Sequence, residues 1–289
     1  MRCVDDNPSY LDKRQVRAAF ERSAAHYDAV ATLQRTVGER LLAHLDPVRV
    51  HPALVVDVGA GTGICLRQLE RRYQSARIMA LDLVEQMLRQ ARRKTSWFRS
   101  RQCFVCGDAE QLPLRSRSVD LLFSNLTLQW CNDSVETYRE FARVLNPGGL
   151  LVFSTFGRDT LTELRASFSL VDGYSHVNAF LDLHDIGDGL LAAGFNGVVV
   201  DAERITCTYQ DVFSLMKDLK LLGAHNMTSG RHRGLTGKQR MQAMARAYET
   251  YRRDGVLPAT YEVVYAHGWL PEPNRTALPV MDLHWIPPH

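Results

Sequence analysis

A glycine-rich turn between a short apolar strand and a helix constrains the fold of this chain more than any other feature. Leu54-Val55-Val56 is predicted to be a buried strand, and the turn Asp57-Val58-Gly59-Ala60-Gly61-Thr62-Gly63 follows it. A helix is expected from Ile64 to about Arg72. Glycines at alternate positions permit positive φ and let a ligand lie against the main chain at the start of a helix. The segment therefore predicts one βα unit of a ligand-binding sheet.

Strands and helices continue to alternate after this unit, and two helices precede it, within Lys13–Tyr27 and Gln34–Leu45. The order predicts an α/β fold with a doubly wound, mostly parallel seven-stranded sheet. Residues 1–50 are interpreted as an N-terminal helical cap and 51–156 as the binding core. Residues 157–270 are expected to supply lid or insertion helices and the last strands, and 271–289 a loose tail. The further strands are predicted at Arg77–Asp82, Gln102–Cys106, Val119–Ser124, Leu150–Ser154, Phe195–Ile205 and Thr260–Trp269.

Composition excludes several classes of protein. A chain of 289 residues with 45% hydrophobic and 23% charged residues is typical of a globular protein, and a net charge of +3 is too small to predict nucleic-acid binding. No secretory or membrane-spanning segment is predicted, so a cytoplasmic location is expected. The six cysteines are scattered, as in a reducing compartment. Cys103 and Cys106 are interpreted as part of a buried strand rather than a redox or metal pair, and no metal site is predicted.

Three aspartates follow three successive predicted strands. Parallel strands end at the same edge of a sheet, so Asp57, Asp82 and Asp108 are expected to lie close together. Asp57 suits an ammonium group, Asp82 a pair of ribose hydroxyls and Asp108 an adenine amino group, with Leu83 and Ala109 as apolar walls. An acid directly before the turn disfavours a phosphate, which argues against a nicotinamide cofactor. The three acids together predict a site for adenosine joined to an amino acid.

At these residues the sequence resembles the class I S-adenosylmethionine-dependent methyltransferases. The resemblance covers about Leu54 to Thr155 and includes Gly107-Asp108-Ala109-Glu110-Gln111-Leu112-Pro113 and Leu145-Asn146-Pro147-Gly148-Gly149. It implies S-adenosylmethionine as cofactor and a further contribution from the segment after the fourth strand. The cofactor-binding residues expected are Asp57, Gly59, Ala60, Gly61, Gly63, Asp82, Leu83, Asp108, Ala109, Asn125 and Leu126.

The flanking segments are similar to the malonyl-acyl carrier protein O-methyltransferase family of biotin synthesis. They include the stretches 20–28, 124–130, 219–226 and 257–265, so this similarity runs almost end to end. It implies methyl esterification of the free carboxyl of a malonyl thioester. The implied partner is malonyl-acyl carrier protein, with malonyl-CoA as an alternative substrate, and no nucleic-acid or membrane partner is expected.

A malonyl carboxylate is already ionised at neutral pH, so the implied reaction needs no general base. Tyr27 is the predicted catalytic residue, which orients the carboxylate or the methyl group. Gln129 and Trp130 are expected to line the acyl channel. Cationic candidates for the carboxylate or for an acidic carrier protein are Arg158, Arg204, Lys217, Lys220, Arg231 and Arg233.

Three alternatives remain open from the sequence alone. A quinone-type C-methyltransferase shares the early helix with a Tyr-Asp pair. A non-methylating assembly factor that acts on a protein partner would resemble the cofactor half of the chain. An RNA methyltransferase would use the basic stretch, but no aromatic-interleaved platform is present.

Overall fold

The seven strands form one sheet in the order β3-β2-β1-β4-β5-β7-β6. The structure is a computed structural model and describes residues 10–95, 101–174, 176–224 and 237–272. β1 to β5 run parallel to one another, and β7 runs antiparallel to both β5 and β6. This confirms the predicted α/β class and seven-stranded sheet. The strands are β1 (Leu54–Val58), β2 (Arg77–Asp82), β3 (Gln102–Cys106), β4 (Val119–Asn125), β5 (Leu145–Phe156), β6 (Asn196–Tyr209) and β7 (Leu257–Trp269).

Most helices begin and end close to the predicted positions. The first predicted helix is instead interrupted after Ser23 and resumes for one turn at Tyr27. Aspartate side chains cap α1, α6, α8 and α9 by accepting a hydrogen bond from a backbone N–H of the first turn. The helices are α1 (Lys13–Ser23), α2 (Tyr27–Val30), α3 (Thr32–Ala43), α4 (Leu66–Arg72), α5 (Glu85–Lys94), α6 (Ser134–Val144), α7 (Thr162–Ser169), α8 (Leu183–Ala192), α9 (Val212–Leu221) and α10 (Lys238–Glu249).

Two apolar cores cover the two faces of the sheet. Val55 and Leu121 face a core that includes residues of α3, α4, α7, α9 and α10. Val56 and Leu122, one residue further along each strand, face a core built with α6 and α8. Because both faces are covered, the central strands are continuous apolar runs. α7 and α8 lie on opposite faces, so the helices of the proposed lid contribute to both cores.

The prediction that Gln102–Cys106 is a buried strand is wrong in one respect. The strand forms, but it lies at the edge of the sheet and pairs only with β2 among the described strands. The residues Cys103 and Cys106 are exposed for that reason. Alternation of apolar residues cannot distinguish an edge strand from a central one.

No helix within the described ranges has the length and apolarity needed to cross a membrane. The tail predicted at 271–289 lies outside the described residues beyond position 272.

Candidate active site

A cavity of about 880 Å³, counting its open side, lies at the carboxyl ends of β1, β2 and β4. α1 contributes Val16 and Phe20 to its wall, and Leu222 follows α9. A smaller compartment of about 320 Å³ adjoins it and adds Asp57 and Ala60. The predicted cofactor residues that line the larger cavity are Gly59, Gly61, Asp82, Leu83, Asp108, Ala109, Asn125 and Leu126.

Backbone N–H groups of the glycine turn hydrogen-bond to the end of β2. Gly59 N donates to Leu81 O at 2.7 Å, and Gly61 N donates to Asp82 Oδ2 at 2.8 Å. A Cβ added at Gly59 would lie 1.9 Å from Thr127 Oγ1, whereas one added at Gly61 would meet no atom within 4 Å. Both glycines have positive φ, at +72° and +55°. Gly59 therefore permits close packing, and Gly61 leaves open space that a ligand can fill.

Gly63 lies beside the start of α4, and its part in cofactor binding stays a prediction. It lines neither compartment, and a Cβ there would lie 2.8 Å from Leu66 Cδ1 and 3.0 Å from Ala91 Cβ. Its missing side chain lets the start of α4 pack against α5.

Two of the predicted aspartates are buried. Asp57 is 2% exposed and Asp82 is 9% exposed. Burial, with a smaller contribution from the charge of Asp82, raises the pKa of Asp57 to about 8. Burial also raises the pKa of Asp82 to about 6, although hydrogen bonds from Val84 N and Gly61 N oppose the shift. A cationic ligand would stabilise the ionised form of both groups.

These residues fit S-adenosylmethionine. The larger cavity combines Asp82 and Asp108 with apolar walls, as adenosine requires, and the smaller compartment holds the buried carboxyl group of Asp57 beside Gly61. No described residue donates a hydrogen bond to the Asp57 carboxyl group, so this group is available to a ligand that carries hydrogen-bond donors.

Lys13 joins the first helix to the third aspartate. Its Nζ lies 2.8 Å from Asp108 Oδ1 and 2.7 Å from Glu110 Oε2. Glu110 Oε1 also accepts a hydrogen bond from Asn132 N. α1 is thus fixed over the cavity with Phe20 on its inner side.

Lys13→Ala should destabilise the protein, since it leaves two partly buried carboxylates without their cation. We expect a loss of about 1–3 kcal/mol in the free energy of unfolding, measured by urea denaturation. Arg17→Ala is the matched control on the same helix, because the Arg17–Glu21 pair is more exposed and should cost less than ~1 kcal/mol. Equal losses in the two variants would show that Lys13 does not fix α1 to the site.

Tyr27 lies at the junction of the two compartments and lines both. Its helix is tied to the glycine turn because Thr62 Oγ1 donates to Asp28 Oδ1 at 2.5 Å, and Lys94 pairs with the other oxygen of Asp28. Burial raises the pKa of Tyr27, and the charges of Asp82 and Asp28 raise it further. Its hydroxyl therefore stays protonated at neutral pH and can donate a hydrogen bond.

The segment after β4 forms the opposite wall. Leu126 has a φ of +51°, and its N–H donates to the carbonyl and the hydroxyl of Ser154 at 3.0 and 3.1 Å. Gln129 Nε2 donates to Leu126 O at 2.7 Å, so its side chain is fixed. Trp130 packs edge-on against Phe20, with ring centroids 5.2 Å apart. Gln129 and Trp130 both line the cavity, and their place in the acyl channel stays a prediction.

Of the cationic candidates that the structure describes, none lines this cavity. Arg158 is exposed and 3.8 Å from Asp182, and Arg204 pairs with Asp159 at 2.5 Å. The exposed residues Lys217 and Lys220 lie on α9. Arg231 and Arg233 lie outside the described residues.

Sequence reasoning missed several lining residues, among them Lys13, Phe20, Gln34, Thr127 and Leu222. The first three belong to helices that precede the sheet, and only the three-dimensional fold places them over the strand ends. The spacing of Phe20 from Val16 and of Gln34 from Gly38 marks a helix face, but nothing in the pattern identifies what that face contacts.

Comparisons with known proteins show that the chain is similar to methyltransferases. Residues 56–153 match the family model described as a methyltransferase domain. A malonyl-[acyl-carrier protein] O-methyltransferase of Nitrosospira multiformis is 49% identical over 284 residues, covering 93% of this chain and 92% of that protein. Malonyl-[acyl-carrier protein] O-methyltransferase 1 of Coxiella burnetii is 44% identical, with coverages of 91% and 90%.

A solved structure shows the same fold. Phosphoethanolamine N-methyltransferase 2 of Haemonchus contortus, in complex with phosphomonomethylethanolamine and S-adenosylhomocysteine, superposes with a TM-score of 0.54. The superposition covers 89% of this chain and 60% of that one at 15% identity.

Proposed function

This chain belongs to the malonyl-[acyl-carrier protein] O-methyltransferase family, and we propose that it transfers a methyl group from S-adenosylmethionine to the free carboxyl of malonyl-acyl carrier protein. The observation that carries this proposal is the two-compartment cavity. Its acids, Asp57, Asp82 and Asp108, lie around the open space at Gly61, and apolar side chains cover it. Methyl esterification of the malonyl group is an early step of biotin synthesis, which fits a cytoplasmic enzyme.

S-adenosylmethionine, when bound, would supply a methyl group on positively charged sulfur for transfer to an oxygen of the malonyl carboxylate. The protein holds the two partners in line and excludes water. Phe20, Trp130 and Leu222 form the apolar cover. Opposite charges are neutralised as the methyl group moves, so a dry site favours the reaction.

Among the described residues, Lys13 is the one cation that lines the cavity, and Asp108 and Glu110 already hold it. The acceptor carboxylate must therefore find uncharged donors within this part of the chain. Tyr27 is one such donor, because its protonated hydroxyl lies at the junction of the two compartments. We assign Tyr27 to orientation of the carboxylate and no residue to proton abstraction.

Mass spectrometry of the intact carrier protein tests the reaction. Malonyl-acyl carrier protein incubated with enzyme and S-adenosylmethionine should gain the mass of one CH2 group, because a methyl group replaces the proton of the free carboxyl. Acetyl-acyl carrier protein, which has no free carboxyl, should stay unchanged. Methylation of a prenylated quinone precursor instead of the thioester would favour the quinone-type alternative. Stable binding of a protein partner without methyl transfer would favour an assembly factor.

The exposed side of α9 is the proposed docking surface for the acidic carrier protein. Lys217 and Lys220 are exposed, while Val212 and Leu215 of the same helix are buried. Leu222, directly after α9, lines the cavity, so a carrier bound here would lie beside the site.

Reversing both charges with Lys217→Glu and Lys220→Glu should raise the KM for malonyl-acyl carrier protein roughly tenfold with little change in kcat, because surface charge chiefly governs encounter. Steady-state kinetics at low salt measures this. The KM for malonyl-pantetheine, which has no carrier protein, should not change. Arg67→Glu with Arg71→Glu on α4 provides the matched control, since both residues are exposed. An unchanged KM for the carrier substrate would place the docking surface elsewhere.

A further inference from the structure

Gln34 carries a buried oxygen that has no hydrogen-bond partner. Its Oε1 is inaccessible to solvent and unpaired, one of two such side-chain atoms among the described residues. A buried acceptor without a donor lowers the stability of the folded protein. A protein that retains one is therefore expected to satisfy it with a hydrogen bond from a ligand or from water. Gln34 lines both compartments of the cavity.

The position of Gln34 is fixed by the close approach of α3 to the site. Its backbone carbonyl accepts a hydrogen bond from Asn125 Nδ2 at 2.9 Å. One turn later, a Cβ added at Gly38 would lie 2.7 Å from Cys65 Sγ and 3.0 Å from Asn125 Nδ2. Glycine at 38 thus lets α3 pack against Cys65 and Asn125, and this contact places Gln34 in the wall of the smaller compartment.

The smaller compartment also contains the carboxyl group of a buried residue. The Asp57 carboxyl group is 2% exposed, and no described residue donates a hydrogen bond to it. Two acceptors, one of them acidic, call for a ligand group with several N–H donors and a positive charge. A primary ammonium has three donors and one charge. A neutral sugar hydroxyl or an anion satisfies this pair less well.

We propose that Gln34 Oε1, together with Asp57, binds the α-ammonium group of the cofactor's amino acid end. This inference rests on the proposed function, because it takes S-adenosylmethionine as the ligand. It assigns the smaller compartment to the amino acid and leaves the larger one to adenosine. Gln34 is a binding residue in this scheme and takes no part in methyl transfer.

Calorimetry with two ligands tests the assignment. S-adenosylhomocysteine has the amino acid end, whereas 5′-methylthioadenosine lacks it. Gln34→Leu should weaken S-adenosylhomocysteine binding roughly 10- to 100-fold, the effect expected when a hydrogen bond to a charged group is lost. The affinity for 5′-methylthioadenosine should not change. Gln34→Glu should keep most of the affinity, because a carboxylate still accepts from the ammonium.

A stability measurement separates this role from a structural one. Gln34→Leu removes an unpaired buried acceptor, so its ligand-free melting temperature should equal or exceed that of the wild type. Gln86→Leu, a change at an exposed glutamine on α5, is the matched control and should alter neither affinity.

Three results would overturn the proposal. Equal weakening of both ligands by Gln34→Leu would mean that Gln34 shapes the whole cavity. A loss in Gln34→Glu as large as in Gln34→Leu would mean that the amide nitrogen, not Oε1, meets the ligand. Normal S-adenosylhomocysteine binding by Gln34→Leu would mean that Gln34 Oε1 accepts a hydrogen bond from water and not from the ligand. Failure of the wild type itself to bind S-adenosylhomocysteine would instead overturn the proposed function.

Discussion

Gly59→Ala is expected to prevent stable folding, whereas Gly61→Ala is expected to fold and to lose most of its affinity for S-adenosylmethionine. A Cβ at Gly59 would lie 1.9 Å from Thr127 Oγ1 and 2.4 Å from Thr127 Cγ2, on a backbone with φ at +72°. The overlap and the left-handed conformation together should cost roughly 3 kcal/mol or more. Circular dichroism with urea denaturation measures this loss.

Gly61 lines both compartments, and a Cβ added there would meet no protein atom within 4 Å. The added methyl group would therefore occupy open space in the cavity. Its positive φ should cost about 1–2 kcal/mol of stability. Calorimetric affinity for S-adenosylhomocysteine should fall roughly 10- to 100-fold, since the methyl group takes up space needed by the ligand. Gly255→Ala is the matched control: Gly255 has a φ of +79° and open space, but lines neither cavity. If Gly61→Ala bound S-adenosylhomocysteine as tightly as the wild type, the assignment of this turn to cofactor binding would be contradicted.

Asp57→Asn should stabilise the ligand-free protein while it weakens cofactor binding. Burial raises the pKa of Asp57 to about 8, far above its ordinary value of 3.8. For a group with a raised pKa in the folded state, the stability present below the ordinary pKa is lost as pH rises through the folded pKa. Between about pH 4 and pH 8 the Asp57 carboxyl group ionises in the unfolded chain but stays protonated in the folded protein, so stability falls as pH rises. Asparagine does not titrate and removes this loss.

The advantage of Asp57→Asn in free energy of unfolding should grow from about pH 5 to about pH 8 in urea denaturation. Wild-type affinity for S-adenosylhomocysteine should rise from about pH 6 to about pH 7.5, because the ammonium group selects the ionised carboxylate. The variant should bind more weakly, with a smaller pH dependence, to which Asp82 still contributes through its own pKa of about 6. Asp188→Asn, at an exposed position of α8, is the control. A stability difference that does not change with pH would show that Asp57 is ionised normally in the free protein.

The sequence predicted the parts of this molecule that depend on local pattern. β2 begins and ends at the predicted Arg77 and Asp82 because apolar periodicity and the acidic end are local features. The three aspartates converge because parallel strands end at one edge of the sheet, which topology alone dictates.

Features that depend on packing between distant segments could not be predicted in this way. The turn glycines look alike in sequence, yet Gly59 contacts Thr127, Gly63 packs toward Leu66 and Ala91, and Gly61 alone meets open space. Asp108 appeared free to meet a ligand, but Lys13, 95 residues earlier, holds its Oδ1. The unpaired oxygen of Gln34 becomes evident only when α3 is placed against the site.

Titration of the purified protein with S-adenosylhomocysteine tests the central claim most directly, because every role assigned above depends on the cavity at the ends of β1 and β2. Isothermal calorimetry should show one molecule bound per chain without any acyl carrier protein present. The absence of detectable binding by a folded protein would contradict the account.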